Sequence, residues 1–315
     1  MTVRKCVLLA ALLCAVVLCS PAAAAPKEIS LTYIKPPLNV PSIVERRLGF
    51  FSRAFAPFGC SVVYSPLTNG PDQVRALAAG DVHFLNAVGS TSVFLSASNG
   101  ADVKILSIFG RSPQAFKLVA AKDSPLSRPS DLRGKLVGGP RGTILHELLA
   151  AWLAEDGMTV RDVKFVNMGI AAAQAALAAG KIDVAMVTGI PAWRMARSGY
   201  KVLRDGSGIV NGEILTVTTG RFAAENPELV RAFMAAKREV LQWMRDNPEK
   251  TLEIVMEEMG LTREEVEDMH AQYDFSMDIA PSDVEGLQKT VDFMTQQGMT
   301  AAPVSVADLI LKVED

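Results

Sequence analysis

The chain has 315 residues, 49% hydrophobic and 21% charged, with a formal net charge of −2. Such a composition suits one or two well-packed globular domains and excludes a disordered chain. A near-neutral balance with acids in slight excess gives no reason to bind nucleic acid or an anionic membrane surface.

At the N-terminus Arg4 and Lys5 precede the apolar run CVLLAALLCAVVLC and then SPAAAAP. A short basic region, a short apolar core and an A-x-A site define a secretory signal peptide over residues 1–24. Cleavage is placed after Ala24, because the next bond would leave Pro26 directly after the cut. Cys14 and Cys19 both follow leucine, which argues against a lipoprotein. No second apolar run of about 18 residues appears, so the mature chain is expected in the periplasm and not inserted in the membrane. Loss of Arg4 and Lys5 leaves 30 basic against 34 acidic residues, a net −4. Only Cys60 survives cleavage, which excludes an internal disulfide, and it reads as a small apolar residue at a strand start.

Strand and helix signals then alternate. Strands are expected over 27–34, 60–65, 82–88 and 102–109, with helices over 41–55, 70–80 and 90–98. After the break GRSP at 110–113 the series restarts. Strands over 115–121, 135–139, 162–167 and 182–187 enclose helices over 143–155 and 171–180. This alternation argues for parallel βαβ units. One more strand, 213–219, leads into an almost wholly helical tail. There Asn226-Pro227 and Asn247-Pro248 read as cap-then-proline starts, and Thr262 with Glu265 and Ser282 with Glu285 as capping boxes. The word ALAAG occurs at 76–80 and 176–180, each time as a helix end with glycine at C′. Each copy runs through a strand to a further glycine, Gly89 or Gly189, before another helix. The expectation is two α/β lobes of similar construction: 25–111 with 213–315, and 112–212.

In open α/β sheets ligands gather beyond the carboxyl ends of strands. Four such ends stand out: KPPLNVPS, NAVGSTS, GGPRGT and VTGIP. In GGPRGT the glycines allow close backbone approach, Thr143 opens a helix whose N–H groups favour an anion, and Arg141 adds a planar donor. The segment lacks the lysine of a P-loop. Gly89-Ser90-Thr91 repeats the pattern, although either hydroxyl could simply be an N-cap. Thr188-Gly189 is a weaker copy. Arg111 lies where a cleft-facing cation would serve, or is solvent-exposed. Glu213 reads as a receiver for a ligand amine or as a surface carboxylate. No catalytic pattern appears. His83 is placed in a strand, His146 on a half-exposed helix position and His270 in the tail, without HExxH, CxxC or G-x-S-x-G. No metal or cofactor is implied.

The stretches ALAAGDVHFLNAVGSTSVFLSASNGADVKIL, KDSPLSRPSDLRGKLVGGPRGTILHELLAAWLAEDGM, ALAAGKIDVAMV and NPELVRAF resemble the periplasmic binding proteins of sulfonate, taurine and nitrate ABC transporters. The resemblance spans essentially the whole mature chain. It implies an α/β two-lobe periplasmic-binding-protein fold (type II), with two crossovers and a helical C-terminal segment. It also implies a monomer that captures a small organic anion, by preference a sulfonate, and delivers it to ABC permease subunits. By position the family's ligand loops fall on Leu38-Asn39, Gly89-Ser90-Thr91, Arg111, Arg141-Gly142-Thr143 and Thr188-Gly189. The chain departs from the pattern at Thr188-Gly189, where sulfonate and nitrate binders carry a bulky aromatic and an acidic residue. The cysteine-rich signature of the related pyrimidine-synthesis enzymes is absent. Two other readings of the same fold are an enzyme acting on a small carboxylated metabolite and a receptor feeding a sensor kinase.

Overall fold

The computed structural model describes residues 26–35 and 38–313. The signal sequence expected over 1–24, with Cys6, Cys14 and Cys19, lies outside the described residues.

The chain opens with β1 (Glu28–Thr32), α1 (Val40–Leu48), α2 (Phe50–Phe55), β2 (Ser61–Ser65), α3 (Gly70–Ala79), β3 (Leu85–Gly89), α4 (Ser90–Ser98) and β4 (Lys104–Arg111). A second run comprises β5 (Phe116–Ala120), β6 (Leu136–Gly139), α5 (Ile144–Ala154), β7 (Lys164–Asn167), α6 (Ile170–Ala178), β8 (Val184–Thr188), α7 (Gly189–Arg197) and β9 (Lys201–Asp205). After β10 (Glu213–Thr218) come α8 (Gly220–Glu225), α9 (Pro227–Asp246), α10 (Pro248–Met259), α11 (Arg263–His270), α12 (Pro281–Gln296) and α13 (Val306–Leu309).

The helix expected over 41–55 is two helices. Gly49 takes φ 69°, a left-handed conformation open to glycine, and ends α1. Gly80 (φ 82°) and Gly180 (φ 65°) end α3 and α6 in the same way, so both ALAAG copies are the helix ends that the sequence implied. α12 begins before the expected Ser282–Glu285 box, with Pro281 in its first turn and Asp283 accepting from the Ala280 N–H at 2.7 Å. His83 sits in a bend before β3, not in a strand.

The strands form a parallel pair β1-β2, a three-stranded sheet β3-β10-β4 and a five-stranded sheet β7-β6-β8-β5-β9. β6 pairs parallel with β7 and β8, as the βαβ reading requires. β10 is antiparallel to both β3 and β4, and β5 is antiparallel to both β8 and β9. These departures have one cause. β5 and β10 are the strands by which the chain crosses from one sheet to the other, and such a strand needs no helical crossover back along its neighbour.

Packing follows the sheets. Three apolar clusters draw their buried residues only from before 112 and after 212, and two draw theirs only from 116–210. In the first group Phe233 of α9 stacks on Phe51 (ring centroids 4.7 Å) and on Phe84 (4.0 Å). The two groups meet where α4 lies on α5 and where α7 lies on α11. There Arg194 pairs with Glu265 at 2.9 Å, and Arg197 pairs with Glu264. No helix among the described residues is long and apolar enough to cross a membrane.

Candidate functional site

A cavity of about 610 Å³ opens between the two groups of elements. Its construction follows from how the helices start. Asn39, Asn69, Gly89, Thr143, Gly169 and Thr188 all line it. They are the N-caps of α1, α3, α4, α5, α6 and α7, and none of them caps its helix through its own side chain. Away from the cavity, Thr219 and Thr262 do cap α8 and α11 with their hydroxyls. A helix start leaves backbone N–H groups without partners inside the helix and carries the positive end of the dipole. Six such starts around one space favour an anion without a formal positive charge, with the fuller sets of N–H groups at α4, α5 and α6, because Pro41, Pro71 and Pro191 each remove one donor from α1, α3 and α7. Among the described lining residues there is no Asp, Glu, Lys, Arg, His or Cys. The remaining wall is largely apolar and includes Ile34, Phe116, Ile144, Leu145, Ile170 and Ile214.

Two side-chain bonds hold α4 against the α5 turn. The Thr91 hydroxyl donates to Glu147 Oε2 at 2.5 Å, and Ser92 Oγ donates to the Gly142 carbonyl at 2.8 Å. Gly89 suits this close approach, since a Cβ there would lie 3.2 Å from Ile144 Cδ1 and would push that side chain aside by a few tenths of an ångström.

The residues singled out in the sequence fall in different places. Asn39, Gly89, Thr143 and Thr188 line the cavity. Leu38 is core beneath it, and Ser90 and Thr91 are buried in α4. Gly142 turns the chain into α5 and donates its N–H to His146 Nδ1 at 3.3 Å. Arg141 is exposed and lies over the Phe165 ring at 4.6 Å, outside the cavity lining. Gly189 borders a separate cavity of about 270 Å³ with Trp193 and Tyr273.

Arg111 is neither a cleft cation nor a free surface residue. Its guanidinium grips both oxygens of Asp283, at 2.9 and 2.8 Å, and reaches Asp274 at 3.2 Å. It also donates to the carbonyls of Ser276 and Asp278. His146 is buried, not half exposed, and burial together with the nearby Arg141 charge pulls its pKa down to about 4. It is therefore neutral at physiological pH.

Glu213 is only 3% exposed, so it is not the surface carboxylate that the sequence allowed, and it lies outside the cavity lining. Burial pushes its pKa up to about 7; Glu147 and Asp283 push the same way, and the Asn211 side chain opposes. A folded-state pKa above the unfolded one gives stability that is complete at low pH and lost as pH rises. The loss falls between the unfolded carboxylate pKa of about 4.3 and the folded value near 7. Glu213→Gln is expected to remove this fall and to be more stable than the parent at pH 8 by up to about 3–4 kcal/mol. Urea denaturation at pH 5 and pH 8 measures it.

Sequence reading missed Thr68, Asn69, Gln73 and Gly169. Asn69 had a usable signal. Asn69-Gly70-Pro71 places proline in the first turn of α3 after an asparagine, close to the cap-then-proline pattern recognised at 226–227 and 247–248.

Two α/β halves with a cavity between them, lined by helix starts, are the architecture of the periplasmic binding proteins. The chain belongs to the NMT1/THI5 like family, which matches residues 38–251. It is 30% identical to the taurine-binding periplasmic protein of Escherichia coli over 247 residues, 77% of this chain and 72% of that protein. It spans 60% of the length of another curated relative that it matches. Among solved structures it is similar to the alkanesulfonate-binding protein SsuA from Xanthomonas axonopodis pv. citri bound to MOPS. The TM-score is 0.81 at 21% identity, covering 92% of this chain and 100% of that one. The desulfurization enzyme DSZB shares the fold at TM-score 0.64 and 16% identity, over 91% of this chain and 97% of that one.

Proposed function

We propose that this chain is an exported solute-binding protein that captures a small organic anion, by preference a sulfonate, and delivers it as a monomer to the permease subunits of an ABC transporter. Residues 1–24 are the cleaved signal, and the mature chain works in the periplasm. Residues 25–111 with 213–315 form one lobe and 112–212 the other, and they close on the ligand. The single observation behind this reading is the set of six helix N-caps that line one cavity without side-chain caps. The sulfonate head takes its hydrogen bonds from those N–H groups. Contacts from both lobes favour the closed state, which is what a transporter can recognise.

The lining contains no histidine, cysteine or carboxylate among its described residues, so a bound ligand meets no general base and no strong nucleophile there. Cys60 is buried elsewhere, its thiol against the Pro26 carbonyl at 3.0 Å.

A panel of sulfonates, carboxylates and matched uncharged alcohols, followed by thermal shift, tests the reading. A sulfonate at 100 times its Kd is expected to add about 2.7 kcal/mol of stability, with no effect from the alcohol of the same skeleton. Absence of binding by every anion, or conversion of one to product, would overturn it.

A further inference from the structure

Behind the starts of α4 and α5 lies a buried acid that the cavity lining does not include. We propose that Glu147 is a positioning residue for anion capture that acts as a neutral acid, so that ligand binding takes up a proton and tightens as pH falls. The inference rests on the anion reading above and adds a regulation of that same site.

Glu147 belongs to one proposed lobe and its partners to the other. It sits in the first turn of α5 and is only 4% exposed. Thr91 of α4 donates to its Oε2 at 2.5 Å, and Thr290 of α12 offers it a second hydroxyl. Both α4 and α5 begin at the cavity, at Gly89 and Thr143. The clasp therefore sets how far apart two of the N–H sets stand when they meet the ligand. If the lobes part, Thr91 and Thr290 leave with theirs and water reaches Glu147.

The charges around Glu147 are those of acids. Glu213, at the start of β10, is a second buried carboxylate and feels the repulsion of Glu147. Helix α12 closes over it: a Cβ on Gly286 would lie 2.8 Å from Asn211 Nδ2 and 3.5 Å from Glu213 Oε1. Asp283, on the same helix, is already paired with Arg111. His146, next to Glu147 on α5, accepts from the Gly142 N–H beside the Phe165 ring and is uncharged above about pH 4. Neither Glu147 nor Glu213 makes an ion pair among the described residues. Two carboxylates buried together without a cation cannot both ionise at low cost, so they titrate as a pair above the ordinary carboxylate range. Burial raises Glu147, with the two threonine hydroxyls opposing, and raises Glu213 to about 7. Exposed to water, such groups return to about 4.3. Joining the lobes thus takes up a proton, and the joined state that holds the ligand weakens as pH rises through about 7. Ionisation also acts directly, because a carboxylate in the first turn of α5 repels an anion at that helix start.

Isothermal titration of the mature protein with 1-butanesulfonate and benzenesulfonate tests this, since both keep their charge between pH 5.5 and pH 8. The buffers must carry no sulfonate of their own. The Kd is expected to be about tenfold lower at pH 5.5 than at pH 8. Titrations at pH 6.5 in two buffers of different ionisation enthalpy should show net proton uptake by the parent protein on binding. Glu147→Gln should bind at pH 8 about as tightly as the parent does at pH 5.5, and the double variant with Glu213→Gln should bind equally at both. A carboxylate that only supported the fold would shift affinity by the same factor at every pH and leave the slope in place. A Kd independent of pH without proton uptake would overturn the inference and leave the anion reading standing. So would a slope that survives unchanged in the double variant. Binding of neither sulfonate at either pH would bring down the anion reading and this inference with it.

Discussion

Replacing Lys237 by alanine is expected to destabilise the protein by about 3–5 kcal/mol, because it strands a buried carboxylate. Lys237 lies in α9 with its ammonium 2.7 Å from Asn86 Oδ1 and over the Phe109 ring at 4.7 Å. The Asn86 amide nitrogen donates to Glu45 and, at 3.1 Å, to Ser42 Oγ. Glu45 is fully buried, and burial raises its pKa to about 7 although Lys237 pulls it down. Burial likewise lowers Lys237 to about 8, with Glu45 pulling it back up. The network supports β3, whose Ala87 faces the cavity, so its role is to hold a wall. A lysine and a glutamate deep in a two-lobed protein invite a catalytic reading, but neither lines the cavity. Lys237→Met combined with Glu45→Gln should recover most of the loss, since removing both charges leaves no orphan. A loss below about 1 kcal/mol for Lys237→Ala in urea denaturation would show that water reaches Glu45.

Arg111→Ala is expected to lose about 2–4 kcal/mol of stability with little change in ligand affinity. Arg111 ends β4 at the first crossover, and its backbone also bridges Asp274 in both directions, at 2.8 and 3.0 Å. The side chain thus clamps the segment between α11 and α12 to the edge of the sheet. The variant leaves Asp283, 14% exposed at its side chain, without the bidentate partner that offset its desolvation. Arg111→Lys should recover only part of the loss, because an ammonium cannot reproduce the fork. Affinity that falls together with stability at temperatures where the variant is fully folded would return Arg111 to the ligand.

These two residues mark where sequence reading reached its limit. Order of elements, the crossovers, the glycine helix ends and the alternation of strand and helix are local patterns, and a single chain displays them. The cavity starts at Gly89, Thr143 and Thr188 were legible for the same reason: each is a small or hydroxyl residue between a strand and a helix. Arg111 misled because residue type announces an anionic partner without saying which. Its partner is Asp283, 172 positions away. Glu213 and His146 misled through burial, which depends on elements brought together only by the fold. Ile34, Phe116 and Ile214 look like any strand-end hydrophobic, and nothing in the order of residues indicates that they face one space.

Ala171 offers the most direct test of the central claim, that helix starts rather than a cationic side chain hold the anion. It lies in the first turn of α6, exposed and against the cavity. A carboxylate there suits the helix dipole, so Ala171→Glu should leave the fold at least as stable as the parent. The measurement is the sulfonate Kd of Ala171→Glu and Ala171→Lys by titration at low and high salt. The account predicts at least about tenfold weaker binding for the glutamate variant and several-fold tighter binding for the lysine variant, converging as salt rises. Equal affinity in the two variants at low salt would contradict it.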